Sequence, residues 1–242
     1  MSRRVPIGLI AVAVLLALAG GGVYVYFFSS LRSSPQQLGL QAASPTAGAR
    51  ATETPSTTDL AGTWTVTTGS QAGYRVKELF AGQSTKHEAV SRTSQVSGGI
   101  TVAGDASSGY QISAITVTAN LTALHSVDQV AGRDVSQRDG VVSRQLEVQQ
   151  FPNAIFTATS AAIPGPVTAS TVSTTVQGNL TIHGVTKAVT AAVQSQVVGG
   201  KIEVAGSVTT EMSQFNVSPP FAPFVTVDTQ VVVEFDIFLA SA

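Results

Sequence analysis

From Trp64 to the end of the chain, apolar and polar residues alternate with a period of two. In the last segment Val227, Thr229, Val231, Val233, Phe235, Ile237 and Leu239 share one face, and Gln230, Glu234 and Asp236 share the other. Val176, Gly178, Leu180 and Ile182 form a similar stripe, as do Ile115, Val117, Ala119 and Leu121, and Ile202, Val204, Gly206 and Val208. Such alternation predicts half-buried strands, because successive side chains of a strand point to opposite faces. The pattern gives about eight strands, near 63–78, 87–103, 110–121, 154–161, 172–182, 186–197, 201–213 and 226–240. His183-Gly184 and Gly199-Gly200 fall between consecutive runs, where glycine supplies positive φ for tight hairpin turns. Sequential hairpins of long strands predict an all-β, antiparallel up-and-down barrel, a closure that removes exposed strand edges.

One stretch breaks the alternation. Ser126 to Val148 carries Asp128, Arg133, Asp134, Arg138, Asp139, Arg144 and Glu147, and reads as a short polar helix and loop that covers one barrel end. Asp134 and Arg138 are spaced for an i,i+4 pair.

The first 58 residues have a different character. Val5 to Phe28 is uncharged and long enough to cross a bilayer as a helix. Arg3 and Arg4 precede it, which places the N-terminus in the cytoplasm and the remainder outside, by the positive-inside rule. Ala17-Leu18-Ala19 resembles a signal-peptidase site, whereas Tyr24 and Tyr26 suit the interfacial end of an uncleaved helix. Residues 29–58 are rich in Ser, Pro, Thr, Ala and Gln without periodicity, and predict a flexible linker. The expected organisation is therefore a membrane anchor at 1–28, a linker at 29–58 and a barrel domain at 59–242.

Composition narrows the chemistry. The chain has no cysteine, which excludes thiolate metal sites, a Cys nucleophile and a lipidated N-terminal Cys. A net charge of −1 with no basic stripe argues against nucleic acid. No phosphate loop, Gly-x-Ser-x-Gly elbow or His-Glu-x-x-His is present, and His87, His125 and His183 lie in separate regions. No catalytic residue, metal site or cofactor is expected. An eight-stranded barrel is near the size at which side chains either fill the interior or leave room for one ligand. The inner stripes contain small residues, so a cavity is expected with an apolar lining of Ile115, Val117, Val176, Gly178, Leu180, Ile182, Ala191, Val193, Val204, Val208, Val231, Val233 and Phe235. Arg133 and Arg138 are the candidates to bind a polar head group at the mouth through charge-assisted hydrogen bonds, with Asp134 and Asp139 expected to position them.

Three segments resemble the YceI-like family of lipocalin-like barrels. Gly178-Asn179-Leu180-Thr181-Ile182-His183-Gly184-Val185-Thr186-Lys187 is similar to the family's hairpin. Arg138-Asp139 followed by Phe151-Pro152-Asn153-Ala154-Ile155-Phe156 resembles its helix and following strand, and Met212 to Val217 with the last strand resembles its ending. The resemblance implies a barrel around an elongated apolar pocket, and carriage of a polyisoprenoid or similar lipid outside the cytoplasm. The competing expectation is an envelope interaction protein with a filled barrel and no ligand.

Overall fold

The computed structural model describes residues 32–41, 60–130 and 133–242. The expected anchor at 1–28 and most of the expected linker lie outside these residues. Among the described residues no helix is long and apolar enough to cross a membrane.

The chain forms β1 (Arg32–Ser33), β2 (Gly62–Val66), β3 (Gln71–Phe80), β4 (His87–Thr93), β5 (Val96–Asp105), β6 (Gly109–Asn120), β7 (His125–Ser126) and β8 (Gln129–Val130). Helix α1 (Gln137–Gln145) follows, then β9 (Asn153–Pro164), β10 (Thr171–Ile182), β11 (Val185–Val198), β12 (Lys201–Glu211) and β13 (Val225–Ser241). Both β2 and β3 pair with β13, and they behave as one long strand broken at 67–70. Buried Ser70 bridges that break, donating to Thr67 O and accepting from Phe238 N–H at 2.9 Å. Strands β4 and β5 likewise form one bent strand, since β4 pairs with β3 and β5 pairs with β2 and β6. With β6, β9, β10, β11, β12 and β13 the count is eight, all antiparallel, and pairing of β12 with β13 completes the closed barrel. The architecture expected from the alternation is therefore present, with one short helix inserted where the alternation stops.

The β10–β11 turn shows why its residues suit it. His183 and Gly184 have φ of 51° and 71°, and a Cβ on Gly184 would meet the Phe151 ring at 2.6 Å. Glycine is the residue that supplies this conformation and this close approach.

The two barrel ends differ. One holds a packed hydrophobic cluster of Trp64, Val102, Tyr110, Ile202, Ile237 and Leu239. The other carries the β3–β4 turn, the 121–145 segment with α1, and the loop between β12 and β13.

Outside the wall, residues 33–41 run as a strap across five strands, β4, β3, β13, β12 and β11. Ser34 Oγ donates to Glu88 O, and Pro35 O and Gln36 O accept from Arg75 and Arg92. Leu38 N–H donates to Glu234 (3.1 Å) and Gln41 N–H to Glu203 (2.7 Å). Arg75 and Arg92 also pair with Glu234 at 2.8 and 2.9 Å. The part of the expected linker at 32–41 is thus fixed to the barrel. Glu203, Glu234 and Asp236 point away from the interior, as alternation requires, yet they are buried. Burial and the neighbouring Glu203 charge push the Asp236 carboxyl up to about 7.

Candidate functional site

The barrel is hollow. An apolar cavity of about 610 Å³ reaches the surface at the α1 end, and a second of about 270 Å³ lies toward the other end, where exposed Ala169, Ser170 and Val197 are among its lining. Ala72, Ala119, Ala154 and Val233 line both, so the two meet at a waist of mostly small side chains. Ala119 and Ala154 are direct cross-strand partners on β6 and β9, which concentrates the missing volume at one level.

Eleven of the thirteen residues expected to line a cavity do so. Ile182 and Val231 face the outer cavity, and Val233 faces both. Ile115, Val117, Val176, Leu180, Ala191, Val193, Val204 and Phe235 face the inner one. Gly178 and Val208 are the corrections. Gly178 is on the inner face of β10, but the Phe156 ring of β9 fills the space beside it, and a Cβ there would lie 2.5 Å from Phe156 Cζ. Val208 is 5% exposed and lines neither cavity.

The outer cavity has a polar side that periodicity alone did not assemble. Glu78 sits on the inner stripe of β3 between Val76 and Phe80 and lines the cavity with Tyr74. Arg138, from α1, donates to Glu78 Oε1 and Asp128 Oδ1, each at 2.7 Å. His87 Nε2 lies 2.7 Å from the other Asp128 oxygen, and Val90 N–H donates to Asp128 at 3.0 Å. Burial works to raise the Asp128 carboxyl, but the bonds from His87, Arg138 and Val90 outweigh it and hold it at about 2. Burial raises the Glu78 carboxyl despite the Arg138 charge, and raises the Tyr74 phenol to about 12. Ligand atoms of Glu78, His87 and Asp128 lie within 4.8 Å of one another, but the Arg138 guanidinium already bonds both carboxylates. His125 and His183 are elsewhere, on Ala123 O and Phe215 O.

The arginines therefore divide. Arg138 lines the cavity with its charge matched by two buried carboxylates. Arg133 is exposed at the rim, with its guanidinium carbon 4.3 Å from the Phe80 ring centroid and 5.7 Å from that of Phe224. Among the described residues no carboxylate is within ion-pair distance of Arg133. Asp134 and Asp139 hold neither arginine. Asp134 accepts from Ser136, and Asp139 accepts from Ser126 N–H and Oγ, tying α1 to β7.

The sequence profile of the YceI-like domain matches residues 64–239, the whole closed barrel. The chain belongs to the YceI-like family. One solved structure agrees at the level of fold, and two others align more weakly. A polyisoprenoid binding domain from Saccharophagus degradans, implicated in plant cell wall breakdown, aligns with a TM-score of 0.52 at 16% identity, covering 75% of this chain and 99% of that one. BcnA of Burkholderia cenocepacia aligns at 0.43 with 18% identity, covering 68% and 95%, and the YCEI protein of Campylobacter jejuni at 0.38 with 16%, covering 66% and 84%. A comparison with curated proteins finds no match. As a YceI-like barrel the chain places its cavity, its helix and its Arg138 cluster at one end of a single closed wall.

Proposed function

We propose that this YceI-like protein is a membrane-tethered, extracytoplasmic carrier that holds the tail of a long-chain isoprenoid or similar apolar lipid inside the barrel. The observation that carries the reading is the pair of abutting apolar cavities inside the barrel, the outer one opening beside a polar rim. Apolar walls bury a hydrocarbon tail at ~25 cal/mol per Å² removed from water. A charged head cannot follow into that interior without partners, so it stays at the mouth. Arg133, with no carboxylate among the described residues at ion-pair distance, is the residue to meet a phosphate or other anionic head. Arg138 holds the mouth together through Glu78 and Asp128. The polyisoprenoid-binding domain of like fold supports the choice of lipid. The tether and the location rest on the uncharged stretch Val5–Phe28 behind Arg3 and Arg4. Nothing in the reading calls for a bond to be made or broken, so the protein acts as a carrier and not an enzyme.

Native mass spectrometry of the full chain purified from membranes tests the proposal. A mass excess of one lipid, displaced by added polyprenol, is the expected result. A chain that carries no lipid and takes up no polyprenol from vesicles would have a barrel of some other purpose.

A further inference from the structure

The open end of the barrel carries a loop that lines the rim of the outer cavity and also presents an apolar surface to solvent. Pro219-Pro220-Phe221-Ala222-Pro223-Phe224 joins the last two barrel strands. Phe221 is 96% exposed and Phe224 is 52% exposed, and of the large apolar residues described only Val197 joins them in exposure. Val197 sits beside the β11–β12 turn, away from this loop. Both rings border the outer cavity and still leave much of their surface in water, and two such rings within four residues, beside an exposed arginine, form the kind of apolar patch that marks a membrane or partner contact.

The strap gives the direction. β1 pairs Arg32 with Val130, and Val130 bridges to Arg133 at the mouth. The chain therefore enters the domain beside the mouth, and Phe28 is only four residues before Arg32. Four extended residues reach at most ~14 Å. A helix ending at Phe28 would hold the rim against the surface it emerges from.

We propose that loop 218–224 and Arg133 form a bilayer-docking surface, which seats the open end of the barrel on anionic headgroups so that the tail enters from the leaflet without crossing water. This rests on the reading of Val5–Phe28 as a membrane anchor. Phe221 and Phe224 enter the headgroup boundary, as aromatic rings do at membrane interfaces. Arg133 lies over Phe80 and Phe224 with its charge at the level of the phosphates, where a basic residue is attracted to an anionic leaflet. Because the first residues of the strap and the loop share one end, the inner cavity points away from the membrane.

The chain has no cysteine, so single cysteines can be introduced and spin-labelled. Full-length protein carrying Phe221→Cys, or Val197→Cys as the far-end control, is reconstituted in vesicles of phosphatidylcholine and phosphatidylglycerol. Phe224→Cys is a second mouth site should the first variant fail to fold. Flotation first checks attachment. The expected result is a label at 221 with increased access to oxygen and decreased access to an aqueous nickel chelate, and the reverse at 197. Adding Arg133→Glu should return the 221 label toward water. A floating protein whose 221 label is water-exposed overturns the docking surface and leaves the anchor standing. Loss of access to both reagents means that the side chain folds into the protein's own cavity, and also overturns it. Failure to float removes the anchor and the docking surface together.

Discussion

Replacing Ala119 by Trp should shorten the lipid that the barrel accepts without unfolding it. Ala119 faces Ala154 across β6 and β9, and both line the outer and inner cavities, so an indole at 119 enters the open waist. The space behind it is about 270 Å³. At ~24 cal/mol per Å³, an unfilled apolar cavity of that size carries a penalty of about 6 kcal/mol, the ceiling on what a tail gains by filling it. Ordering a flexible chain offsets much of that gain. If one third survives, about 2 kcal/mol remains, roughly a thirtyfold change in Kd. The assay is titration of the full chain with a short and a long polyprenol, beside a urea unfolding curve. The long ligand should lose about thirtyfold in affinity, the short one little, and the urea midpoint should hold or rise. Overpacking of a filled core would instead lower stability by ~1–3 kcal/mol. Equal losses for both ligands, or lost stability with unchanged binding, would refute the two-chamber argument.

Three further outcomes are expected. Arg138→Gln leaves Glu78 and Asp128 buried without their cation, and should lower the unfolding free energy by ~3–5 kcal/mol in a urea titration. Asp236, raised to about 7 against an ordinary value near 4, binds its proton more tightly folded than unfolded. Stability should therefore fall as pH rises from about 4 to 7 and level off above, by at most about 4 kcal/mol, and Asp236→Asn should flatten that slope in urea midpoints measured across the range. Leu38→Pro removes the N–H that Glu234 accepts, and should cost ~1.5–3 kcal/mol by the same measurement.

The barrel was legible because period-two alternation survives through most of the long strands, although β6 switches face at Ala114, and Ser126 to Val148 was legible as the place where it fails. Glu78 was the available signal for the inner polar cluster, an acid on the apolar stripe of β3. Its partners were not readable, because Asp128 and Arg138 reach it only through the path of a loop and helix. Gly178 shows the limit of a face assignment. Alternation put it inside, but the register that sets Leu180 opposite Phe156 decides which ring occupies the space. The strap was invisible for a different reason. The Ser34 hydroxyl apart, it holds the barrel mainly with main-chain N–H and C=O groups, which every sequence possesses, so no side-chain pattern announces it. The polar face of β13 accordingly looked like a solvent face.

The strap also bears on the order in which the chain folds. Leu38 and Gln41 find their acceptors 196 and 162 residues away, on the last two barrel strands. Contacts at such separation form late, because the loop they close loses its entropy before any contact offsets it. Glu234 is presented beside Arg75 and Arg92 only after β13 has zipped onto β3. Residues 33–41 therefore have no docking site on a half-made wall and lock on when the last strand arrives. Until then they are an extended, accessible peptide, open to a protease. The same nine-residue stretch that reads as a spacer would serve as a check on completion, cleavable in unfinished molecules and protected in finished ones.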